Sequence, residues 1–171
     1  SPSYRRRLRA NAALAGISER EQRAAVAHAG RMVAEMPRLW VRPAAEPLQP
    51  AVQWQRAELI DAALDSGRGL ILLTPHLGAF EVTAQAYAER FGDRQPATVL
   101  YRPARNAWLR ELATTARARP GLLTAPATLL GVRQMIRALR HHQTVGLLPD
   151  QVPPKGMGVW APFFGQPAYT M

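Results

Sequence analysis

The chain contains no cysteine, which excludes disulfides, thiolate metal sites and a cysteine nucleophile. Serine is scarce: Ser1, Ser3, Ser18 and Ser66 are the full set, and none lies in the G-x-S-x-G context of an activated serine. No stretch approaches the roughly 18 consecutive apolar residues of a membrane-spanning helix. The start, Ser1 to Arg9, lacks the apolar core of a signal peptide. Acidic residues are few, 12 against 22 lysines and arginines, giving a formal charge of +10. Lys155 is the only lysine, so that charge is carried by arginine.

What is present suits a folded enzyme-sized unit. Hydrophobic residues make up 47% and charged residues 20% of the 171 positions, and a chain of this length buries about two thirds of its unfolded surface. We therefore expect a single domain over residues 1–171. The positive balance favours anionic partners: nucleic acid, an acidic membrane surface, a phosphorylated substrate or an acidic carrier protein.

Ser18 with Glu21 is a capping-box signal. It opens an amphipathic helix to Met36, with Val26, Met32, Val33 and Met36 as its stripe and Pro37 as its stop. Pro43, Pro47 and Pro50 mark Val41 to Pro50 as an extended connector. Gly69 to Thr74 is a continuous apolar run, expected of a strand buried on both faces. A helix over Phe80 to Phe91 follows, then a strand near Thr98 to Tyr101 and a helix over Trp108 to Arg119. Leu122 to Thr124 is a weaker strand, Ala127 to Arg140 a helix, and Thr144 to Leu148 another buried strand. This alternation predicts an α/β fold, a mainly parallel sheet flanked by helices. The last stretch, VWAPFFGQPAYTM, is rich in aromatics and proline and ends without a cap, as if the chain were cut within a domain.

Functional groups of parallel sheets gather beyond the carboxyl ends of the strands. Three polar clusters fall there: Thr74-Pro75-His76, Tyr101-Arg102-Pro103 and Pro149-Asp150-Gln151. His76 leaves a strand, Gly78 permits close backbone approach, and Glu81 falls in the first turn of the next helix, where the dipole favours a carboxylate. A Glu81 that accepts from one imidazole nitrogen leaves the other free to take a proton from a hydroxyl. With no nucleophile on the chain, the attacking hydroxyl belongs to the substrate, and transfer is direct.

HLGAFE (Leu77 and its neighbours from His76 to Glu81) has the HxxxxE form of the HX4D/E signature of glycerolipid acyltransferases. It is joined in order by YRPARN (Tyr101 to Asn106), LLPDQ (Leu147 to Gln151) and GVWAPFFGQPAYT (Gly158 to Thr170). This set resembles the lipid A biosynthesis lauroyl/myristoyl acyltransferase family over nearly the whole chain, departing at Ala79-Phe80, where many relatives have Asn-Trp. The resemblance implies a glycerol-3-phosphate-acyltransferase-like fold. It implies transfer of a fatty acyl chain from acyl carrier protein to a hydroxyl of a phosphorylated lipid A precursor, at the cytoplasmic face of the inner membrane. It also implies that an N-terminal membrane anchor and a C-terminal part belong to such proteins and are absent here.

On that resemblance His76 is the general base and Glu81 its orienting partner. Arg102 meets a phosphate or the developing oxyanion, and Asn106 lies in the same motif. Asp150 and Gln151 order the site or contact the acceptor sugar, and Phe163 and Phe164 form a site wall. Blander readings stand beside these: a surface ion pair for Arg102, a turn cap for Asp150, and lipid contact or core packing for the phenylalanines. The adjacent His141 and His142 point apart and have no third partner, so no metal or cofactor is expected. Arg133, Arg137 and Arg140 line one side of a helix opposite Leu129, Leu130, Met135, Ile136 and Leu139. That side is a solvated face or a contact for anionic lipid or a carrier protein. Competing functions are the same chemistry on another glycolipid, a hydrolase in which His76 activates water, and a nucleic-acid-binding module. The last has no recognised motif to support it.

Overall fold

A computed structural model of the chain describes residues 2–101, 106, 110 and 118–171. The expected helix over Trp108 to Arg119 falls mostly outside the described residues. The chain divides into two compact units, one of residues up to Ala34 and from Pro149 onward, the other Glu35–Leu148.

The larger unit holds the sheet. Strands β1 (Leu70–Leu73), β2 (Ala97–Tyr101), β3 (Leu122–Pro126) and β4 (Thr144–Leu147) lie in the order β1-β4-β2-β3. All three pairings are parallel, as the strand-helix alternation predicts. Helices α3 (Glu58–Asp65) and α4 (Glu81–Phe91) cover one face, where Leu64, Tyr87, Ala88 and Phe91 pack with Ala97 and Leu122. A further helix, here α5 (Leu129–Arg140), covers the other, packing Met135 and Ala138 on Ala125 and Val145. Full burial of an aromatic such as Phe91, 2% exposed, contributes roughly 1.5–3 kcal/mol.

One expectation fails at β1. Ile71 and Leu73 are 52% and 64% exposed, because β1 lies at the edge of the sheet and the α5 cluster reaches only β2, β3 and β4. A continuous apolar run therefore does not guarantee burial on both faces.

A closed polar triangle joins α4 to the sheet. The Tyr87 hydroxyl donates to the Gln95 carbonyl at 3.1 Å and pairs with Thr144 Oγ1 at 2.7 Å, while Gln95 Nε2 donates to that same Oγ1 at 2.8 Å. Burial pushes the Tyr87 phenol above its ordinary 10.0, with the Thr144 hydrogen bond and the Arg94 charge acting against it.

The connector before α3 is folded, not extended. Glu46 N–H donates to the Pro43 carbonyl and Val52 N–H to that of Leu48, and Leu48 is buried. Both carboxylate oxygens of Glu89 accept from Leu48 N–H at 3.1 Å. Arg42, its side chain 9% exposed, pairs with Glu89 at 3.9 Å and donates to Gln85 Oε1 at 3.0 Å. Arg119 Nη2 donates to the Arg42 carbonyl at 2.7 Å. Burial, then the Arg42 charge, lowers the Arg119 guanidinium below its ordinary value. Trp40 Nε1, Arg42 Nε and Nη1 and Arg119 Nε are buried without a hydrogen-bond partner, a local cost offset by the packing around them.

In the smaller unit α1 (Pro2–Leu14) stops at Gly16, whose φ of +72° closes the helix with an N–H to the Ala13 carbonyl. The Ser18–Glu21 capping box forms as expected: Glu21 Oε2 accepts from Ser18 N at 2.8 Å and Oγ at 2.6 Å, and Glu21 N–H returns to Ser18 Oγ. These bonds, the hydroxyl's first, hold the Glu21 carboxyl below its usual range. Helix α2 runs Glu19–Val41, through Pro37 and not up to it. The carbonyl that Pro37 leaves unbonded belongs to Val33, 54% exposed, so water can satisfy it.

The aromatic end forms an antiparallel hairpin, β5 (Val159–Phe163) with β6 (Gln166–Thr170), which the proline content concealed. Its two-residue turn, Phe164-Gly165, has φ of +49° and +70°, the positive-φ geometry that twists with the strands. Tyr169 Oη accepts from Gly156 N at 2.9 Å and Gly158 N at 2.8 Å, pinning the hairpin's entry.

Two outcomes are expected. Tyr87→Phe should cost about 1–3 kcal/mol, because the Gln95 carbonyl and the Thr144 hydroxyl lose a buried partner. A raised phenol stabilises the fold below its unfolded value and loses that contribution as pH climbs through the folded one. Wild-type stability should thus fall above about pH 10 more steeply than that of Tyr87→Phe, as read by denaturant melts from pH 8 to 11. At Gly131 an added Cβ would collide with the Pro126 carbonyl oxygen, so Gly131→Ala should destabilise by roughly 1–3 kcal/mol or more in the same melts.

Candidate active site

The connection from β1 to α4 carries the two principal candidates. Thr74 N–H donates to the Leu147 carbonyl at 3.0 Å, extending the β1–β4 pairing one residue beyond β1. The chain then bends at His76 and turns at Gly78, where φ is +58°. That is the left-handed geometry for which glycine is suited. Phe80 N–H donates to the Gly78 carbonyl at 2.9 Å, Val82 N–H to Ala79 at 2.9 Å and Thr83 N–H to Phe80 at 3.1 Å. The Thr83 hydroxyl also donates to the Phe80 carbonyl, at 2.7 Å. The loop is thus anchored to the sheet at one end and to α4 at the other.

His76 is exposed, and its ring meets Phe80 edge-on, with centroids 4.9 Å apart and planes at 62°. This contact seats the imidazole against the residue that precedes α4. Glu81, half-buried, opens the helix, and no side chain caps that end. The helix N-terminus therefore presents its partial positive charge to the Glu81 carboxylate. One short connection at the carboxyl edge of the sheet thus carries both residues, an exposed imidazole at His76 and a carboxylate at Glu81 in the first turn of the helix.

Arg102 is outside the described residues, and Asn106 is exposed in the segment after β2. Asp150 and Gln151 are exposed in the smaller unit, immediately after β4 in the chain. Phe163 and Phe164 are 67% and 61% exposed on the hairpin, in T-shaped contact at 4.7 Å. Sequence reasoning noted Phe80 only as a departure from relatives and missed its contact with His76. An aromatic four residues after a histidine carries no signal of its own. Among the described residues no cluster of histidines and carboxylates could hold a metal ion.

Gly78→Ala should lose about 1 kcal/mol of stability and move the His76 ring protons in NMR spectra, as the ring current of Phe80 shifts with the loop. Gly78→Asn, which tolerates positive φ, should do less of both.

The model of the bacterial lipid A biosynthesis acyltransferase family matches residues 5–171, nearly the whole chain. No curated protein sequence matches the chain significantly. The parallel sheet and its flanking helices agree with an acyltransferase fold. The chain is a member of the bacterial lipid A biosynthesis acyltransferase family.

Proposed function

We propose that this acyltransferase moves a fatty acyl chain from acyl carrier protein to a hydroxyl of a phosphorylated lipid A precursor. The transfer is direct, with His76 as general base and Glu81 as its partner. The observation that carries the reading is the β1–α4 connection, which holds an exposed imidazole against Phe80 one residue before a carboxylate at a helix N-terminus.

The acceptor hydroxyl gives its proton to His76 as its oxygen attacks the thioester carbonyl. The carbon–oxygen bond forms, the carbon–sulfur bond breaks, and the proton returns to the departing thiolate. Glu81 stabilises the imidazolium between those steps, and the uncapped N-terminus of α4 lies beside the developing charge. Arg102 serves the acceptor's phosphate or the oxyanion. Asn106, Asp150 and Gln151 contact or order the acceptor, and Phe163 and Phe164 wall the site. The reaction takes place at the cytoplasmic face of the inner membrane, whose anionic surface suits the chain's charge of +10.

His76→Ala and Glu81→Gln should each keep the wild-type melting temperature, His76 being exposed, and lower transfer from acyl carrier protein by about 10²–10⁴-fold. Full activity in either variant sinks the dyad. Chromatography of the products separates transfer, which yields acylated lipid, from hydrolysis, which yields free fatty acid, and a panel of glycolipids identifies the acceptor.

A further inference from the structure

Helix α5 has three different surfaces, two of them turned outward. Gly131, Met135 and Ala138 are buried against the sheet. At about 100° per residue, Leu129, Val132 and Ile136 fall in a row beside that buried strip, yet they are 68%, 42% and 45% exposed. Beyond this row, opposite the core, stand Arg133, Arg137 and Arg140, all exposed. The helix has no acidic residue, and the sequence has none between Glu111 and Asp150.

A helix face that meets only water is mainly polar. This one sets an aliphatic row beside a band of arginines with no counter-charge in the helix, the pattern of a helix lying in a lipid–water interface. Its place in the fold agrees. Because β1, β2, β3 and β4 are parallel, the turn that leaves β3 and starts α5 lies at the same sheet edge as the Thr74 to His76 turn. Ala127 N–H fixes it there, donating to the Tyr101 carbonyl at 2.8 Å. A family that acylates a lipid works where that lipid is. We infer that the outer face of α5 is the surface by which the enzyme rests on an anionic lipid layer. Leu129, Val132 and Ile136 enter the headgroup boundary, and Arg133, Arg137 and Arg140 meet lipid phosphates. This rests on the lipid acceptor of the proposed function but not on the dyad.

Flotation of the full chain with vesicles of phosphatidylglycerol in phosphatidylcholine tests it. The wild type should bind, less so as salt is raised. R133Q/R137Q/R140Q should weaken binding about a hundredfold, and Ile136→Ser about tenfold, both without change in melting temperature. Ile136→Trp should tighten binding at an unchanged melting temperature. R5Q/R6Q/R7Q on α1 should leave the Ile136→Trp gain intact. His76→Ala should float like the wild type, which separates failure of the dyad from failure of this surface. The inference is overturned if the wild type does not bind, if the α5 variants bind unchanged, or if the arginine variant loses only binding to an acidic carrier protein.

Discussion

The buried triangle of Tyr87, Gln95 and Thr144 constrains everything around it. Three polar groups leave water together, and each is satisfied by the others. The arrangement is stable only while α4, the turn before β2 and the start of β4 keep their mutual positions. β4 is the strand to which both β1 and β2 are bonded. Helix α4 begins at Glu81 and β1 leads to His76, so the same three hydrogen bonds that close the core also set the two sides of the candidate site. Phe91, Leu64, Ala88, Ala97 and Leu122 supply apolar burial around them, but apolar contact alone is non-directional and would let α4 slide along its axis.

Much of this order was legible in the sequence. The GLILLT and TVGLL runs are strands, the segment after the first is a helix, and Ser18 caps α2 through Glu21, because each depends on neighbours a few residues away. The HxxxxE spacing likewise put His76 and Glu81 in one connection, since the elements on either side are adjacent in the chain. What stayed hidden depends on residues far apart. The exposed face of β1 follows from strand order, which periodicity does not carry. The Arg42 side chain is largely covered where Gln85 and Glu89 on α4 reach it, so a proline-marked segment that reads as an extended connector is tied to α4 at Arg42 and Leu48. Pro37 reads as a stop only if water cannot reach the carbonyl behind it.

The chemistry follows from a shortage as much as from a motif. The chain has no cysteine and no serine in a G-x-S-x-G context, and the proposed direct transfer rests on that shortage together with the HxxxxE spacing. The family assignment supports an acyl donor and a lipid acceptor. In the proposed mechanism the enzyme supplies position and proton transfer while the lipid supplies the nucleophile, which would make acceptor placement the step on which specificity turns.

The hairpin carries one further consequence. Pro162 and Pro167 face each other across β5 and β6, one pair in from the turn, where backbone N–H groups would point away from the partner strand. Proline has no such group to offer. A ribbon bearing Trp160 at 71% and Phe163 at 67% exposure would otherwise invite a third strand from a neighbouring molecule. With both outer edges stripped of a donor at the same level, it can present its aromatic side chains without becoming a template for intermolecular sheet growth.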